Sequence, residues 1–371
     1  MKISCLKENL YAGLQTVSRT VGARTTLPVL KNILLQTEGG RLKMSATDLE
    51  LGIICWVGAK VEKEGTLTVP AKLLMEYVST LPNKKIDLEF KNNTLHLHCE
   101  SYKATFTTID ADEFPEIPTF EGETKVAIKA DVLKKAIQKV VFATSKDESR
   151  PVLSGVYIES EDNLLTLVSA DGYRLVEKKV PLQQAFEGKK FSIIVPHRAL
   201  VEVARGTFEE DAEITLQISN NQVLFSTKDS LIFSRLIEGK FPDYKKIIPQ
   251  DTTNHSEIII PRGEFLQAIK VNHLFAQDGS DAVHLEIDKT AQQLTISAST
   301  NQIGQSASTV GCKVKGKSES ISFNANYLID VLNVVSSEDV KMLISESANP
   351  GMIYDTQDDQ YIYVVMPVKQ L

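Results

Sequence analysis

Residues 126–144 read VAIKADVLKKAIQKVVFAT, and two other stretches of the chain repeat their pattern. Val126 and Ile128 alternate with neighbours on the opposite face, as in a short strand. Leu133, Ala136, Ile137, Val140 and Val141 then recur at helical spacing and make one apolar face. Asp131 falls in the first turn, where the helix dipole favours an anion, and Lys134, Lys135 and Lys139 fall largely off the apolar stripe. Residues 1–21, MKISCLKENLYAGLQTVSRTV, and residues 257–275, EIIIPRGEFLQAIKVNHLF, show the same strand, polar start and amphipathic helix. Leu10, Leu133 and Phe265 occupy equivalent places, as do Leu14, Ile137 and Ile269.

A second helix recurs with the same period. It reads TVPAKLLMEYVSTL at 68–81, IVPHRALVEVARGT at 194–207 and SFNANYLIDVLNVV at 322–335. Pro70 and Pro196 suit a helix start, and Asn324 or Asn326 can cap the third copy. Between the helices lie alternating strands; LKMSATDLELGI, LTLVSADGYRLVEKKV and LTISASTNQIGQSAS are three versions of one strand–turn–strand element. The Asn92-Asn93 and Asn220-Asn221 pairs are hairpin turn chemistry. The expected fold class is therefore α+β: three similar domains, each with two helices and roughly eight strands in antiparallel sheets. Polar, turn-rich segments near 121–124 and 251–254 divide it into domains 1–122, 123–252 and 253–371. The period is far longer than that of a solenoid, so whole domains are duplicated, and two chains joined head to tail would close a ring.

The composition, 42% hydrophobic and 24% charged over 371 residues, is globular. Apolar runs such as YIYVVMPV are too short to span a bilayer, and Lys7 and Glu8 stand where a signal peptide needs its apolar core. The expectation is a cytoplasmic protein with no membrane partner. Cys5, Cys55, Cys99 and Cys312 are scattered and read as buried free thiols. Phosphate-binding loops, nucleophile elbows and zinc-binding helix motifs are all missing from the sequence. His96 and His98 share a strand face with no third ligand at zinc spacing, and Asp171 in SADGYR is explained by a tight turn. The reading is no catalytic residue, no metal and no cofactor, which points to binding rather than catalysis.

Charge is distributed unevenly. The six predicted helices, 7–19, 71–80, 130–143, 196–205, 262–274 and 325–335, hold ten basic and six acidic residues in a chain of net charge −7. A helical surface with surplus positive charge suits phosphates, which fix position without reading sequence. Aromatic residues are scarce on these helices, so contact with a duplex backbone fits better than stacking on single strands.

TLPVLKNILL from Thr26, ATDLEL from Ala46, ADGYRL from Ala170, GKFPDYKKIIP from Gly239 and the terminal YVVMPVKQL give the full-length chain its resemblance. It resembles the bacterial sliding clamps, the beta subunits of the replicative DNA polymerase III holoenzyme. The resemblance implies a clamp fold closing as a head-to-tail homodimer ring, with helices lining the hole and sheets outside. It implies a non-enzymatic processivity factor that encircles double-stranded DNA without regard to sequence. The ring would tether the polymerase at a high effective concentration. A scaffold of the same fold that gathers partners without loading on DNA is the alternative.

The same resemblance implies site residues. Partners such as the polymerase and the clamp loader bring a short peptide to a groove between the second and third domains. The matching positions run from Leu153 through Ala170, Gly172, Tyr173, Arg174 and Leu175 to Pro242, Lys246 and Ile247. They end with Ser347, Val364, Val365, Met366, Pro367 and Val368. Leu175, Val364 and Met366 would floor the groove for Leu or Phe anchors, and Arg174 would hold a peptide carbonyl or carboxylate. Lys246 stands where an arginine is common and Tyr173 where a histidine is frequent. For DNA the carried-over positions are Arg24, Lys72 and Arg150, with Pro151 and Val152 where some clamps have tyrosines. Lys134, Lys135, Lys139, Arg198 and Arg205 are expected to face the hole. The dimer interface would use Lys103 and Phe106 on one side, Leu274 and Phe275 on the other, with the two phenylalanines as its apolar centre.

Overall fold

A computed structural model describes the chain except residues 23–26, 117–123, 148, 162, 183–189, 207, 210, 220, 251–252, 277–280, 301–303, 346–348 and 369–371. The first repeat runs β1 (Lys2–Leu6), α1 (Lys7–Val17), β2 (Asn32–Glu38), β3 (Arg41–Thr47), β4 (Leu51–Gly58), β5 (Lys60–Lys63), β6 (Thr66–Pro70), α2 (Ala71–Thr80), β7 (Lys85–Lys91), β8 (Thr94–Cys99) and β9 (Tyr102–Thr107). The second runs β10 (Thr124–Lys129), α3 (Ala130–Val140), β11 (Gly155–Glu161), β12 (Leu164–Ala170), β13 (Arg174–Pro181), β14 (Phe191–Pro196), α4 (His197–Arg205), β15 (Glu213–Ile218), β16 (Gln222–Ser226) and β17 (Ser230–Arg235). The third runs β18 (Ser256–Pro261), α5 (Arg262–His273), β19 (Ala282–Asp288), β20 (Gln293–Thr300), β21 (Gly304–Gly311), β22 (Lys313–Lys315), β23 (Glu319–Asn324), α6 (Ala325–Val334), β24 (Asp339–Ile344), β25 (Gly351–Asp355) and β26 (Asp358–Val365).

The helices fall where the apolar periodicity puts them, because each buries one stripe: Leu10, Leu14 and Val17 in α1, Leu328, Val331 and Leu332 in α6. Pro70 and Pro261 stand at the N-caps of α2 and α5. Of the two candidate caps for α6, Asn324 is the one used, its side chain accepting from the amides of Asn326 at 2.9 Å and Tyr327 at 3.4 Å. Asn92 and Asn93 both adopt positive φ, 52° and 55°, as a tight hairpin turn requires. In β8 the period of two buries Leu95, Leu97 and Cys99 and leaves His96 and His98 exposed.

The chain packs as two compact units that do not follow the sequence repeat: 1–133 with 198–236, and 134–197 with 237–371. The reason is sheet continuity. The first unit holds a five-stranded sheet, β5-β1-β7-β8-β9, and an eight-stranded one, β10-β15-β16-β17-β4-β3-β2-β6. In the latter, β17 of the second repeat pairs antiparallel with β4 of the first, from Ser230 opposite Cys55 to Ser234 opposite Leu51. The second unit holds a nine-stranded sheet, β14-β11-β12-β13-β26-β25-β24-β18-β22, and a four-stranded one, β21-β20-β19-β23. There β26 of the third repeat pairs with β13 of the second, from Arg174 opposite Val365 to Lys178 opposite Tyr361. Successive repeats are thus joined by shared ladders, and β9 and β21 are among the edge strands.

Candidate functional site: the second repeat junction

The β12–β13 turn shapes the site. Asp171 Oδ1 accepts from the amides of Tyr173 at 2.9 Å and Arg174 at 3.0 Å, which closes the turn. Gly172 sits at φ 95°, a conformation that L side chains rarely adopt, and a Cβ there would meet the Arg150 guanidinium. The turn lifts Tyr173 to 59% exposure. Its carbonyl accepts from the amide of Met366 at 2.8 Å, so the tail is tied beside the turn.

Along one face of the nine-stranded sheet, Leu175 and Val364 stand opposite each other and are buried together with Leu153, Ala170, Phe241 and Met352. Tyr244 closes this cluster, its hydroxyl donating to Glu159 at 2.7 Å. Burial, then the bond to Glu159, pushes the Tyr244 phenol up. Above the buried floor, Tyr173, Ile247 and Met366 are exposed apolar side chains, with Pro242 exposed beside them. The carried-over groove residues are therefore of two kinds, a core-like floor and an adaptable apolar rim. Val365 is fully buried in the sheet, and Pro367 and Val368 are half-buried. Past Glu177 and Ile362 on the same face lies a cleft of about 640 Å³, lined also by Lys179, Asp243, Lys245, Lys246, Ile248 and Gln250. Lys246 is ion-paired to Asp243 at 2.9 Å. Ser347 lies outside the described residues.

Four of the expected side chains are already engaged within the chain. Arg174 holds its guanidinium inside the chain. It is 9% exposed, with Nε on Asp171 at 3.0 Å, Nη1 on Asp330 at 2.7 Å and Nη2 on the Phe142 carbonyl at 3.1 Å. The guanidinium also lies over the rings of Tyr327 and Phe142. Lys139 spends its charge within the chain. Its side chain is 13% exposed and its Nζ lies 2.8 Å from Asp355 and 2.7 Å from Asp358, which Lys178 also reaches at 2.6 Å. Phe106 is 3% exposed and packs edge-on against Tyr77 of α2, so it has almost no surface to give a partner. Val152 is partly buried against the Leu153–Leu175 cluster.

The other basic positions are mostly paired. Arg198 lies 2.8 Å from Asp48, Arg205 2.8 Å from Glu202, Arg150 2.9 Å from Asp147 and the exposed Lys72 3.9 Å from Glu76. Lys134 is half-buried, Lys135 and Pro151 are exposed, and Arg24 lies outside the described residues. Lys103 is exposed on β9; Leu274 is 62% exposed and Phe275 half-buried just past α5. Sequence reasoning missed Asp330, Asp355, Asp358 and Phe142 as the partners that consume these charges. All four cysteines are buried free thiols, as the sequence suggests, with the Cys5 and Cys55 thiols pushed up to about 12 by burial.

Three repeats stitched by shared ladders, with a cleft on the sheet that spans the second junction, define a clamp-type assembly protein without a catalytic centre among the described residues. The chain belongs to the DNA polymerase III beta subunit family: residues 1–118 match its N-terminal domain, 127–243 its central domain and 245–369 its C-terminal domain. It is similar to the beta sliding clamp of Bacillus subtilis, 30% identical over 380 residues with both chains fully covered. The beta sliding clamp of Synechococcus elongatus is also 30% identical, over all of this chain and 99% of the relative. Among solved structures, the sliding clamp of Pseudomonas aeruginosa bound to griselimycin superposes with a TM-score of 0.94 at 28% identity over the whole of both chains. The Bacillus subtilis clamp superposes at 0.93 and 27%, again over both whole chains. As a member of this family the chain is a non-catalytic processivity factor of DNA replication, not an enzyme.

Proposed function

We propose that two chains close head to tail into a ring by adding β9 of each to β21 of the other. The observation that carries this is the repeated junction. Β17 pairs with β4, and β26 with β13, in the same order and sense. In the first repeat β9 is the copy of β17 and β26; in the third, β21 is the copy of β4 and β13. The third junction, β9 with β21, is not among the ladders of the described residues, and a second copy of the chain can supply it. β21 is eight residues of GQSASTVG, without charge or proline, which is an edge ready for another strand. Exposed Leu274 and half-buried Phe275 flank it as apolar contacts, and Lys103 lies on the partner strand; Phe106 supports that strand from beneath.

The ring encircles duplex DNA, with Arg24, Lys72, Arg150, Lys134, Lys135, Arg198 and Arg205 supplying a diffuse field. Because several of these charges are already paired, direct affinity is low and salt-sensitive, and retention comes from topology. The groove of the second junction takes a partner peptide from the polymerase, the clamp loader and other proteins, with Leu or Phe anchors on Leu175, Val364 and Met366. Domain limits of 1–122, 123–252 and 253–371 and a cytoplasmic location complete this reading. Sedimentation at sub-micromolar concentration tests it: a mass of two 41.1 kDa chains is expected, and a single-chain mass contradicts ring closure. A peptide of the Q-x-x-L-x-F type should bind, and Met366→Ala should weaken it about tenfold.

A further inference from the structure

The first junction carries the same frame as the groove-bearing one. Asp48 closes the β3–β4 turn as Asp171 closes its own, Oδ1 accepting from the amides of Glu50 at 3.1 Å and Leu51 at 2.8 Å. Leu49, at φ 78°, holds the place of Gly172. Val29, Leu30 and Phe114 cluster with Leu34 and Ile109. Their counterparts Val152, Leu153 and Phe241 cluster with Tyr157 and Ile237.

The floor differs. Where the second junction has Val168, Ala170, Leu175 and Ile194, the first has Ser45, Thr47, Gly52 and Thr68. These are small or polar, and Thr47 and Thr68 spend their hydroxyls inside the chain, on the carbonyls of Leu51 at 3.1 Å and Ile109 at 2.7 Å. Opposite Gly52 stands Phe233, at the place of Val364. Its ring lies across the glycine, so closely that a Cβ on Gly52 would coincide with the ring tip.

We infer that Phe233 sets the partner load at one peptide per chain, by closing over Gly52 the copy of the groove that the second junction leaves open. This rests on the peptide-groove reading above. The ring is tethered beside its site, so it competes at an effective concentration that no free peptide anchor matches. A Leu or Phe anchor needs a concave apolar seat, and the ring already occupies it.

The probe is a synthetic peptide with Q-x-x-L-x-F anchors, titrated against the full chain by calorimetry and native mass spectrometry. Wild type binds one per chain. Phe233→Val with Gly52→Leu copies the Val364–Leu175 pair into the first junction and adds a second site, at least tenfold weaker than the first. Phe233→Ala alone, which requires no new side chain in the sheet, adds a weaker second event and decides the matter if the double variant does not fold. Binding that stays at one per chain in a folded variant overturns the inference, as does a wild type that already binds two. Failure of the groove reading looks different: Met366→Ala would then leave the first event unchanged.

Discussion

Arg174 donates from Nη1 to Asp330 Oδ2 across 2.7 Å, and this bond ties the β13 turn to helix α6. Asp171 and the Phe142 carbonyl take the remaining faces of the same guanidinium. Arg174→Ala strands Asp171 with its partner gone and should cost about 3–5 kcal/mol of unfolding free energy in urea. Arg174→Lys should recover only part of this, because an ammonium cannot fork. A folded Arg174→Lys chain should still bind the partner peptide within about twofold. A tenfold loss in that folded chain would mean that Arg174 touches the peptide after all.

Lys139, Lys178, Asp355 and Asp358 predict a pH response. Burial alone would raise both carboxyls, but the hydrogen bonds from Lys139, with Ser337 for Asp355 and Lys178 for Asp358, hold them below 3.8. Their contribution is therefore complete above that value and lost as pH falls through the depressed folded values. For Lys139, burial acts downward and the two carboxylates outweigh it, so it sits above 10.5 and its contribution fades only as pH rises beyond that value. Lys139→Gln should lower stability by about 3 kcal/mol at pH 7 and introduce, between pH 4 and 6, a gain of stability on acidification that the wild-type cluster lacks. The variant gains stability as its unpaired carboxyl protonates. A pH-independent difference in thermal midpoints would contradict the ion cluster.

The proposed ring edge separates two kinds of substitution. Leu274→Asp should leave the unfolding of the chain intact and shift sedimentation from dimer to monomer. Phe106→Ala should instead destabilise the chain itself by about 3–5 kcal/mol, since the ring is already core. If Phe106→Ala only dissociates the dimer, the phenylalanine belongs to the interface.

Helices, repeats and turn chemistry were legible because they are local: the apolar stripe of 130–140 and the Asn92-Asn93 turn need no distant partner. Sheet continuity was not, because nothing within β4 or β17 announces that Gly52 faces Phe233. Lys139 shows the limit most clearly. Periodicity placed it off the apolar stripe correctly, yet its partners lie 216 and 219 residues further along the chain. At the first junction Thr16 and Cys55 hold the places of Lys139 and Lys178, and a cavity of about 520 Å³ lies there instead of an ion cluster. The partners of Arg174 were half legible for a related reason. Asp171, three residues away, was visible, whereas Asp330 comes from another repeat. Phe106 was readable from the alternation of KATFT, which turns it inward while Lys103 and Thr105 stay exposed.

The central claim is encirclement, and retention on DNA of different topology tests it most directly. Chain loaded by its clamp loader onto nicked circular plasmid should stay bound through gel filtration in high salt, where phosphate contacts are screened. Linearising the plasmid should release it within the time of the run. Equal retention on circular and linear DNA, or loss from both, would contradict the account.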